Sequence, residues 1–330
     1  MTGSVAFYLP GESDLARLRG LDPDAEPQEF QVGERAWILQ TYLRLARAGL
    51  PVELTGTLPT SGAIVFHAKH KRRLFAERHA LARAHLVVVR GDLRPALFAD
   101  FEILQNGRFA ADGWRFPVPH WPQPGLVKRD PARGDRLESV AYKGFAANLD
   151  ASFRGEAWPA RLAELGIGWS LDAVDFDRSR HRCTMLGWPR FDDVDVLLAI
   201  RPRDRRLHTA KPATKLINAW LAGVPAILGA EWACRELRRS ELDYFEASTL
   251  EEAFGAVRRL RDEPGLFRAM VEHGRERARE FASDRLVEIW RRLLFEEIPA
   301  AAGRRRSRHS LAVRLVLGRL RRLWRLEPAR

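Results

Sequence analysis

Short apolar runs alternate with longer amphipathic segments along the first 91 residues of the chain. The apolar runs are rich in β-branched and aromatic residues and are bounded by glycine, proline or polar residues, which is typical of strands. They cover residues 4–10, 51–56, 63–68 and 85–91. Between them, residues 35–49 and 71–84 carry apolar positions at helical spacing. Strands that alternate with helices of this length predict βαβ units around a parallel sheet.

The periodic pattern stops at residues 116–137, where proline and glycine are frequent and no apolar period is visible. It restarts with strands at 139–144 and 194–200 and helices at 155–166 and about 212–222. From residue 249 onward the pattern is helical. We therefore predict an N-terminal α/β domain at 1–120, a linker at 121–138, a second α/β domain at 139–297 and a tail at 298–330.

The composition is that of a soluble globular protein. A chain of 330 residues is long enough for two domains, and 46% hydrophobic and 30% charged residues are ordinary values. No stretch is long and apolar enough to predict a membrane span, and the N-terminus lacks the basic region of a secretory signal, so we predict a cytoplasmic protein. Cys183 and Cys234 have neither metal-ligand spacing nor a framework of partners, so we expect neither a zinc site nor disulfides.

Most of the positive charge lies at the end of the chain. The net charge is +12, and residues 303–330 hold ten arginines and one glutamate, which leaves about +3 for the rest of the chain. The body is therefore too weakly charged to predict a nucleic-acid partner. Drawn as a helix, residues 311–326 place valines, leucines and Trp324 on one arc and arginines elsewhere. Such a helix lies on an anionic membrane or docks on the protein itself, and the sequence leaves both open.

Lysine is rare in the chain, and its positions are informative. There are 49 arginines and six lysines, and all the lysines except Lys128 follow or adjoin the end of a predicted strand. Lys211 and Lys215 flank the start of the predicted helix 212–222, beside Thr214. A helix N-terminus favours anions, and a lysine ammonium is a compact point charge for phosphate. The pattern predicts a phosphate site there, with Lys143 as a third candidate.

The stretch TKLINAWLAGVPAILG, with the helices that follow it, resembles the C-terminal half of GT-B glycosyltransferases over about residues 139–297. The resemblance implies two Rossmann-like domains facing across a cleft, with a C-terminal helical extension. The second domain would bind a nucleotide-diphosphate sugar, whose diphosphate lies at Thr214, Lys215 and the Lys143-Gly144 loop. No metal or other cofactor is expected, because such enzymes generally need none for donor binding.

The resemblance also implies a role for further positions and shows a departure. Asn218 stands where many members carry a glutamate that contacts the ribose, and Ala210 stands where a second acidic residue is common. The departure leaves the stereochemical outcome open. Glu231 and Trp232 follow the strand after this helix, where they would line the donor pocket; packing is the alternative for Trp232.

A general base, if the reaction needs one, is expected at a strand end of the N-terminal domain, where the acceptor would bind. His67 and Asp92 are the candidates, since each follows a predicted strand. A strand-end hydrogen bond for His67 and a turn for Asp92 are the structural alternatives. The run DDVD at 192–195 is similar to the metal motif of another glycosyltransferase fold, but it leads straight into a predicted buried strand, so we do not expect a metal there.

These observations predict a glycosyltransferase that moves a sugar from a nucleotide-diphosphate sugar to a glycan or lipid-linked acceptor in surface polysaccharide synthesis. The enzyme would be cytoplasmic or peripheral on the inner face of the membrane, through residues 303–330. The glycine fingerprint of a nicotinamide-binding fold is missing after the first strand, which argues against a dehydrogenase. Two alternatives remain: a nucleotide-sugar epimerase on the same fold, which would need no acceptor, and a non-catalytic membrane-binding or nucleic-acid-binding protein that acts through its tail.

Overall fold

The computed structural model describes residues 4–81, 83–111, 113–174, 187–202 and 208–305. These residues form two compact units. Unit 1 contains the described parts of 1–22, 33–120 and 283–330, and unit 2 contains 23–32 and the described parts of 121–282. In the part of the chain that is described, no helix combines the length and the apolar character that a membrane crossing requires.

Unit 1 is built on a parallel sheet whose described strands lie in the order β2-β1-β3-β4-β5-β6. The strands are β1 (Val5–Tyr8), β2 (Val52–Thr55), β3 (Ser61–His67), β4 (Arg83–Val89), β5 (Phe101–Leu104) and β6 (Arg115–Pro117). Each of the four strands predicted in this half overlaps one of them, because their apolar runs form the core on which the helices pack. The alternation of short apolar and amphipathic segments therefore predicted β1 to β4, but not β5 and β6.

The helices of unit 1 come from both ends of the chain. They are α1 (Leu15–Gly20), a π-helical turn (Arg35–Leu39) that continues into α2 (Gln40–Arg47), α3 (Lys71–Ala76), α9 (Ser283–Arg292), a second π-helical turn (Leu293–Glu297) and α10 (Ile298–Arg305). Trp37 and Trp290 meet edge to face, with ring centroids 6.4 Å apart, and both are buried. This contact joins the π-helical turn before α2 to α9, which comes from the C-terminal part of the chain.

The prediction of a helix over 71–84 was wrong in its second half. Helix α3 ends at Ala76, and β4 begins at Arg83. All seven residues of β4 pair in register with β3, from Arg83 opposite Ser61 to Val89 opposite His67. Pairing with a buried neighbouring strand outweighs the helix propensity of this alanine-rich segment.

Unit 2 is built on a second parallel sheet, whose described strands lie in the order β11-β10-β9-β7-β8. The strands are β7 (Ser139–Phe145), β8 (Gly168–Val174), β9 (Val196–Ala199), β10 (Ala226–Leu228) and β11 (Phe245–Glu246). The helices are α4 (Ala157–Ala163), α5 (Thr214–Ala222), α6 (Trp232–Leu237), α7 (Leu250–Asp262) and α8 (Pro264–Ala278). Both units are therefore Rossmann-like α/β units, which confirms the predicted fold class.

The units divide the chain differently from the ranges predicted from sequence. The segment predicted as the linker 121–138 is part of unit 2. The amide of Val127 donates to the carbonyl of Pro189 at 2.7 Å, the carbonyl of Val127 accepts from the amide of Phe191 at 3.0 Å, and the amide of Arg129 donates to the carbonyl of Ala222 at 3.0 Å. The chain from residue 283 belongs to unit 1, although the second domain was predicted to run to residue 297. Of the predicted tail 298–330, α10 is described, whereas residues 306–330 and Cys183 lie outside the described residues.

Asp195, the last acidic residue of the DDVD run, is fully buried and anchors the segment that leads into β7. Its carboxylate accepts hydrogen bonds from the guanidinium groups of Arg129 at 2.9 Å and Arg133 at 2.7 Å. It also accepts the backbone amides of Glu138 and Ser139 at 2.8 and 2.9 Å. Burial disfavours the charge, but these donors outweigh it and hold the pKa of Asp195 below its usual value. The group has the contacts of a structural carboxylate.

We expect Asp195→Asn to lower the free energy of unfolding by about 3–5 kcal/mol, because it leaves Arg129 and Arg133 with unmatched charge in a buried site. Urea denaturation at neutral pH measures the change. Asp193→Asn is the matched control, since Asp193 is exposed two residues away. Because the folded pKa of Asp195 is lowered, the difference between wild type and Asp195→Asn should shrink as the pH falls below about 4. An equal loss in both variants would contradict this account.

Candidate functional site

The carboxyl ends of the parallel strands of unit 2 bring several charged side chains to one edge of the sheet. Lys143 lies near the end of β7, Asp172 near the end of β8, and Arg201 two residues after β9. Glu231 follows β10 and precedes α6. Ligands in open α/β sheets bind beyond this edge. The edge therefore holds a charged cluster, which we call the β7–β10 cluster and define by Lys143, Asp172, Arg201, Lys215 and Glu231.

Helix α5 begins at this edge and directs its N-terminus into the cluster. It runs from Thr214 to Ala222 and ends at Gly223, which takes the left-handed conformation with φ of 76°. The predicted helix and its glycine terminus are confirmed. The amides of the first turn have no partners within the helix, and the helix dipole adds partial positive charge there. Thr214 and Lys215 are the first two residues of the helix, so their backbone amides belong to this turn.

Lys215 turns its ammonium group back against the sheet. The Nζ atom donates to the carbonyl oxygen of Lys143 and lies 4.8 Å from the ring centroid of Tyr142 and 6.0 Å from that of Trp188. Burial, together with the nearby positive charge of Arg201, lowers the pKa of Lys215 to about 7. The amine therefore exchanges its proton close to neutral pH, and an anion placed beside it would favour the charged form.

The second lysine of the cluster lies on the strand itself. The apolar pattern predicted a strand over 139–144, whereas the family resemblance implied a loop at Lys143-Gly144. Strand β7 extends to Phe145 and includes both residues. The Nζ atom of Lys143 donates to the carbonyl of Gly187 at 3.0 Å and lies 3.7 Å from the carboxylate of Asp172. Burial lowers the pKa of Lys143, and Asp172 opposes that shift. Asp172 is thus the counter-charge that holds this lysine at the edge.

Gly144 is required by close packing and not by its backbone conformation. A Cβ atom at this position would lie 2.7 Å from both Nζ of Lys215 and the hydroxyl oxygen of Tyr142. The Tyr142 hydroxyl in turn donates to the carbonyl of Phe145 at 2.7 Å, so the ring is not free to move aside. The absence of a side chain at 144 therefore lets the Lys215 ammonium reach the strand.

Arg201 and Glu231 form the far side of the cluster. The Nε atom of Arg201 lies 2.9 Å from both carboxylate oxygens of Glu231, and both side chains are largely buried. The sequence singled out Glu231 but missed Arg201 and Asp172. Arg201 was hidden in a run of basic residues after the strand, and Asp172 in a strand-like run whose pairing the sequence does not reveal. No strand was predicted over 168–174, and Asp175 and Asp177 follow Asp172 closely, so nothing in the sequence singled it out.

The remaining donor-site predictions fall around the start and the middle of α5. Thr214 and Lys211 are partly exposed near the helix N-terminus, and Trp232 is 45% exposed beside Glu231. Both the pocket role and the packing role of Trp232 stay predictions. Asn218 is buried, and its Oδ1 accepts the backbone amide of Gln123 at 3.0 Å. This oxygen holds the 121–125 segment on α5. A ribose contact of Asn218 stays a prediction.

In unit 1, both candidate bases lie at the carboxyl edge of the sheet. His67 ends β3 and is buried, and its Nδ1 lies 3.4 Å from the amide of Lys69. Burial, reinforced by His70 and opposed by Asp92, lowers the pKa of His67 to about 4. The carboxylate of Asp92 accepts a hydrogen bond from Nε2 of Gln105 at 2.9 Å, and Oε1 of Gln105 accepts one from the indole N–H of Trp37 at 3.1 Å. The imidazole is thus neutral near pH 7, and Asp92 is oriented by a second layer of side chains.

Sequence reasoning missed a buried carboxylate beside these residues. Glu34 precedes the helix that begins at Arg35, and its carboxylate contacts Nε2 of His70 and Nζ of Lys69. Glu34 is only 7% exposed, and Lys69 supplies the positive charge that matches it. Burial, reinforced by Lys69 and Arg73, lowers the pKa of His70 to about 4, so its imidazole is a neutral partner near pH 7. In the sequence Glu34 is one acid among many, and only the fold brings it to His70, 36 positions away.

We expect Lys215→Met to raise the free energy of unfolding most below pH 7, because wild type there carries a proton on a poorly solvated amine. The folded pKa is about 7 and the unfolded value about 10.4, so wild-type stability rises with pH between the two. The advantage of the variant should therefore shrink by roughly 1.4 kcal/mol per pH unit over that window. Chemical denaturation at several pH values measures it. Lys128→Met, on the exposed surface, is the control, and a pH-independent advantage would contradict the assignment.

Comparisons with known proteins find relatives by structure but not by sequence. No protein-family model matches the chain, and a search of curated proteins finds no match. The sucrose-phosphate synthase of Thermosynechococcus elongatus has a TM-score of 0.57 at 12% identity, over 88% of this chain and 99% of that one. HepE of Anabaena, solved with UDP-glucose, has a TM-score of 0.53 at 14% identity, over 88% and 99%.

A larger protein also matches. The pneumococcal O-GlcNAc transferase GtfA, solved with UDP and GlcNAc, has a TM-score of 0.54 at 13% identity, over 79% of this chain. This chain spans 60% of the length of GtfA. At these identities the likeness concerns the fold, and it agrees with the two parallel sheets described above. The chain has the GT-B fold of these glycosyltransferases.

Proposed function

We propose that the protein is a glycosyltransferase that moves a sugar from a nucleotide-diphosphate sugar to a glycan or lipid-linked acceptor, as in surface polysaccharide synthesis. The observation that carries the proposal is the N-terminus of α5 in unit 2. Lys215 and the first-turn amides of the helix meet there at the carboxyl edge of a parallel sheet, in a GT-B fold. Positive charge and amide donors at such a place are suited to a diphosphate.

The same groups suit the chemistry of the leaving diphosphate. Negative charge builds up on the leaving group as the glycosidic bond to phosphate breaks, and donors fixed in advance stabilise it most. We assign this role to Lys211, Thr214 and Lys215, with Lys143 and Gly144 forming the strand side of the pocket. Arg201 adds a further positive charge beside the diphosphate, and Glu231 orients it, since the Glu231 carboxylate binds the guanidinium directly.

The acceptor is assigned to the carboxyl edge of unit 1. His67 and Asp92 are the proposed bases. The lowered pKa of His67 keeps its imidazole unprotonated at neutral pH but also makes it a weaker base than an ordinary histidine. The hydrogen bond from Gln105 to Asp92 supports an oriented carboxylate. Uridine nucleotides are the first donors to consider, because GtfA and HepE were solved with UDP or UDP-glucose.

We also propose that donor binding needs no metal ion. The support is the chemistry of the β7–β10 cluster, in which Lys143, Lys215 and Arg201 supply the positive charge that a divalent cation supplies elsewhere. Binding of UDP should therefore have the same dissociation constant in excess EDTA as in millimolar Mg²⁺. A large gain in affinity with Mg²⁺ would contradict this part of the proposal.

Calorimetric titration with UDP, GDP, TDP, CDP and ADP tests the donor site. We expect one nucleotide to bind, and Lys211→Ala to weaken its binding roughly tenfold or more, as loss of a charged hydrogen bond to phosphate does. Lys128→Ala is the matched control, because Lys128 is an exposed lysine of the same unit to which no role in the site is assigned. If no nucleotide binds, or both variants lose affinity equally, the proposed donor site is wrong.

The base assignment has a separate test. With a transferable donor and acceptor in hand, His67→Gln should lower kcat by about 10²–10⁴-fold with little change in the dissociation constant of the nucleotide. Because the folded pKa of His67 is about 4, its imidazole stays neutral between about pH 5 and 8. Protonation of His67 should therefore not lower the wild-type rate in that range. Full activity of His67→Gln would remove His67 from the mechanism and leave Asp92. Turnover of the donor sugar without any acceptor would favour an epimerase.

A further inference from the structure

Unit 1 carries an exposed apolar pair that no part of the proposed chemistry uses. Phe75 on α3 and Leu93 in the loop after β4 are each 37% exposed, and they are two of the five large hydrophobic residues that are exposed in the described ranges. Leu93 lies at a tight turn, in which its amide donates to the carbonyl of Arg90 at 3.2 Å. A turn of this kind holds the leucine side chain at the surface.

The helix and the loop form one continuous surface. The Nζ atom of Lys71, at the start of α3, donates to the carbonyl of Arg94 at 2.8 Å. One turn further along the helix, the ring of Phe75 meets that of Phe98 edge to face, with centroids 5.5 Å apart. Two contacts thus join α3 to the loop, at Arg94 directly after Leu93 and at Phe98 further along. We call this surface the α3 face and define it by Lys71, Arg72, Phe75, Leu93 and Arg94.

The α3 face is strongly basic. Residues 69–78 contain five lysines and arginines and one acid, Glu77, which lies 3.4 Å from Arg73. Arg72 and Arg94 are exposed, and the guanidinium of Arg78 lies 4.6 Å from the ring centroid of Phe75. Exposed apolar side chains within a ring of positive charge are the pattern of an interfacial membrane contact, because the rings enter the headgroup region while the cations meet lipid phosphates.

We propose that the α3 face binds an anionic lipid bilayer. The two segments that form it also carry the candidate bases, since His67 precedes α3 by four residues and Asp92 is adjacent to Leu93. Binding would therefore hold the carboxyl edge of unit 1 at the membrane surface, where a lipid-linked acceptor is presented. This last consequence rests on the proposed function, whereas the binding itself does not.

A bilayer suits the α3 face better than a nucleic acid does. Recognition of single strands relies on aromatic rings that stack with successive bases, and Phe75 is the one exposed aromatic residue among those that define the face. Leu93 has no role in stacking, but it contributes directly to insertion among acyl chains. The balance of aliphatic, aromatic and cationic side chains is therefore that of a lipid surface.

Fluorescence quenching on the full-length protein tests the proposal by position. In a Cys183→Ser background, where Cys234 is buried, an environment-sensitive fluorophore is attached to Phe75→Cys or, as the matched control, to Leu171→Cys. Leu171 is an exposed apolar residue of unit 2. Vesicles of phosphatidylcholine, with or without phosphatidylglycerol, carry nitroxide-labelled lipids. We expect quenching at position 75 only with the anionic vesicles, and little at position 171.

The position of the label distinguishes membrane binding by the α3 face from membrane binding by the basic residues 303–330. If the protein sediments with anionic vesicles while the label at position 75 stays unquenched, another segment binds the membrane and the proposal fails. It also fails if no vesicle binds, or if an oligonucleotide and not the vesicles shields position 75. An unlabelled Leu93→Ser variant should lower the vesicle partition coefficient on the order of tenfold, and Leu171→Ser should not.

UDP calorimetry on the same samples distinguishes failure of the membrane proposal from failure of the proposed function. Loss of vesicle binding with intact UDP binding overturns the membrane proposal alone. Vesicle binding with no affinity for any nucleotide supports the α3 face and contradicts the donor site.

Discussion

The contact between the Lys215 ammonium and the carbonyl of Lys143 is the interaction on which the candidate donor site depends. It draws the first turn of α5 onto the end of β7, and it requires Gly144, because a Cβ atom there would lie 2.7 Å from Nζ. It also places a cation where burial disfavours its charge. The site is therefore held in a conformation in which an added anion would relieve an existing electrostatic cost.

The rest of the β7–β10 cluster follows from the same constraint. Two lysines and an arginine at one sheet edge repel each other unless carboxylates separate them. Asp172 faces Lys143 at 3.7 Å, and Glu231 binds Arg201 through both oxygens. Parallel pairing of β7 with β8 brings Asp172 opposite Lys143 in register. The sheet topology therefore decides which charges meet.

Local patterns were enough to predict the elements and the start of the site, but not its partners. Strands β1 to β4 and the helix Thr214–Ala222 with its glycine cap follow from apolar periodicity and end signals, which depend on neighbouring residues, whereas β5 and β6 were not predicted. Asp172, Arg201 and Glu34 could not be found in this way, because their roles come from residues 29 to 36 positions away or from strand pairing. The false extension of α3 to residue 84 has the same origin, since pairing with β3 overrides local propensity there.

The most direct test of the account is the number of protons taken up when UDP binds. Calorimetric titrations at pH about 8, in buffers of different ionisation enthalpy, give this number. The account predicts uptake approaching one proton per bound nucleotide, since the Lys215 amine with a pKa of about 7 is mostly neutral before binding and charged beside a diphosphate. Uptake should vanish in Lys215→Met. Binding of UDP with no proton uptake in the wild-type protein would contradict the claim that Lys215 receives the diphosphate.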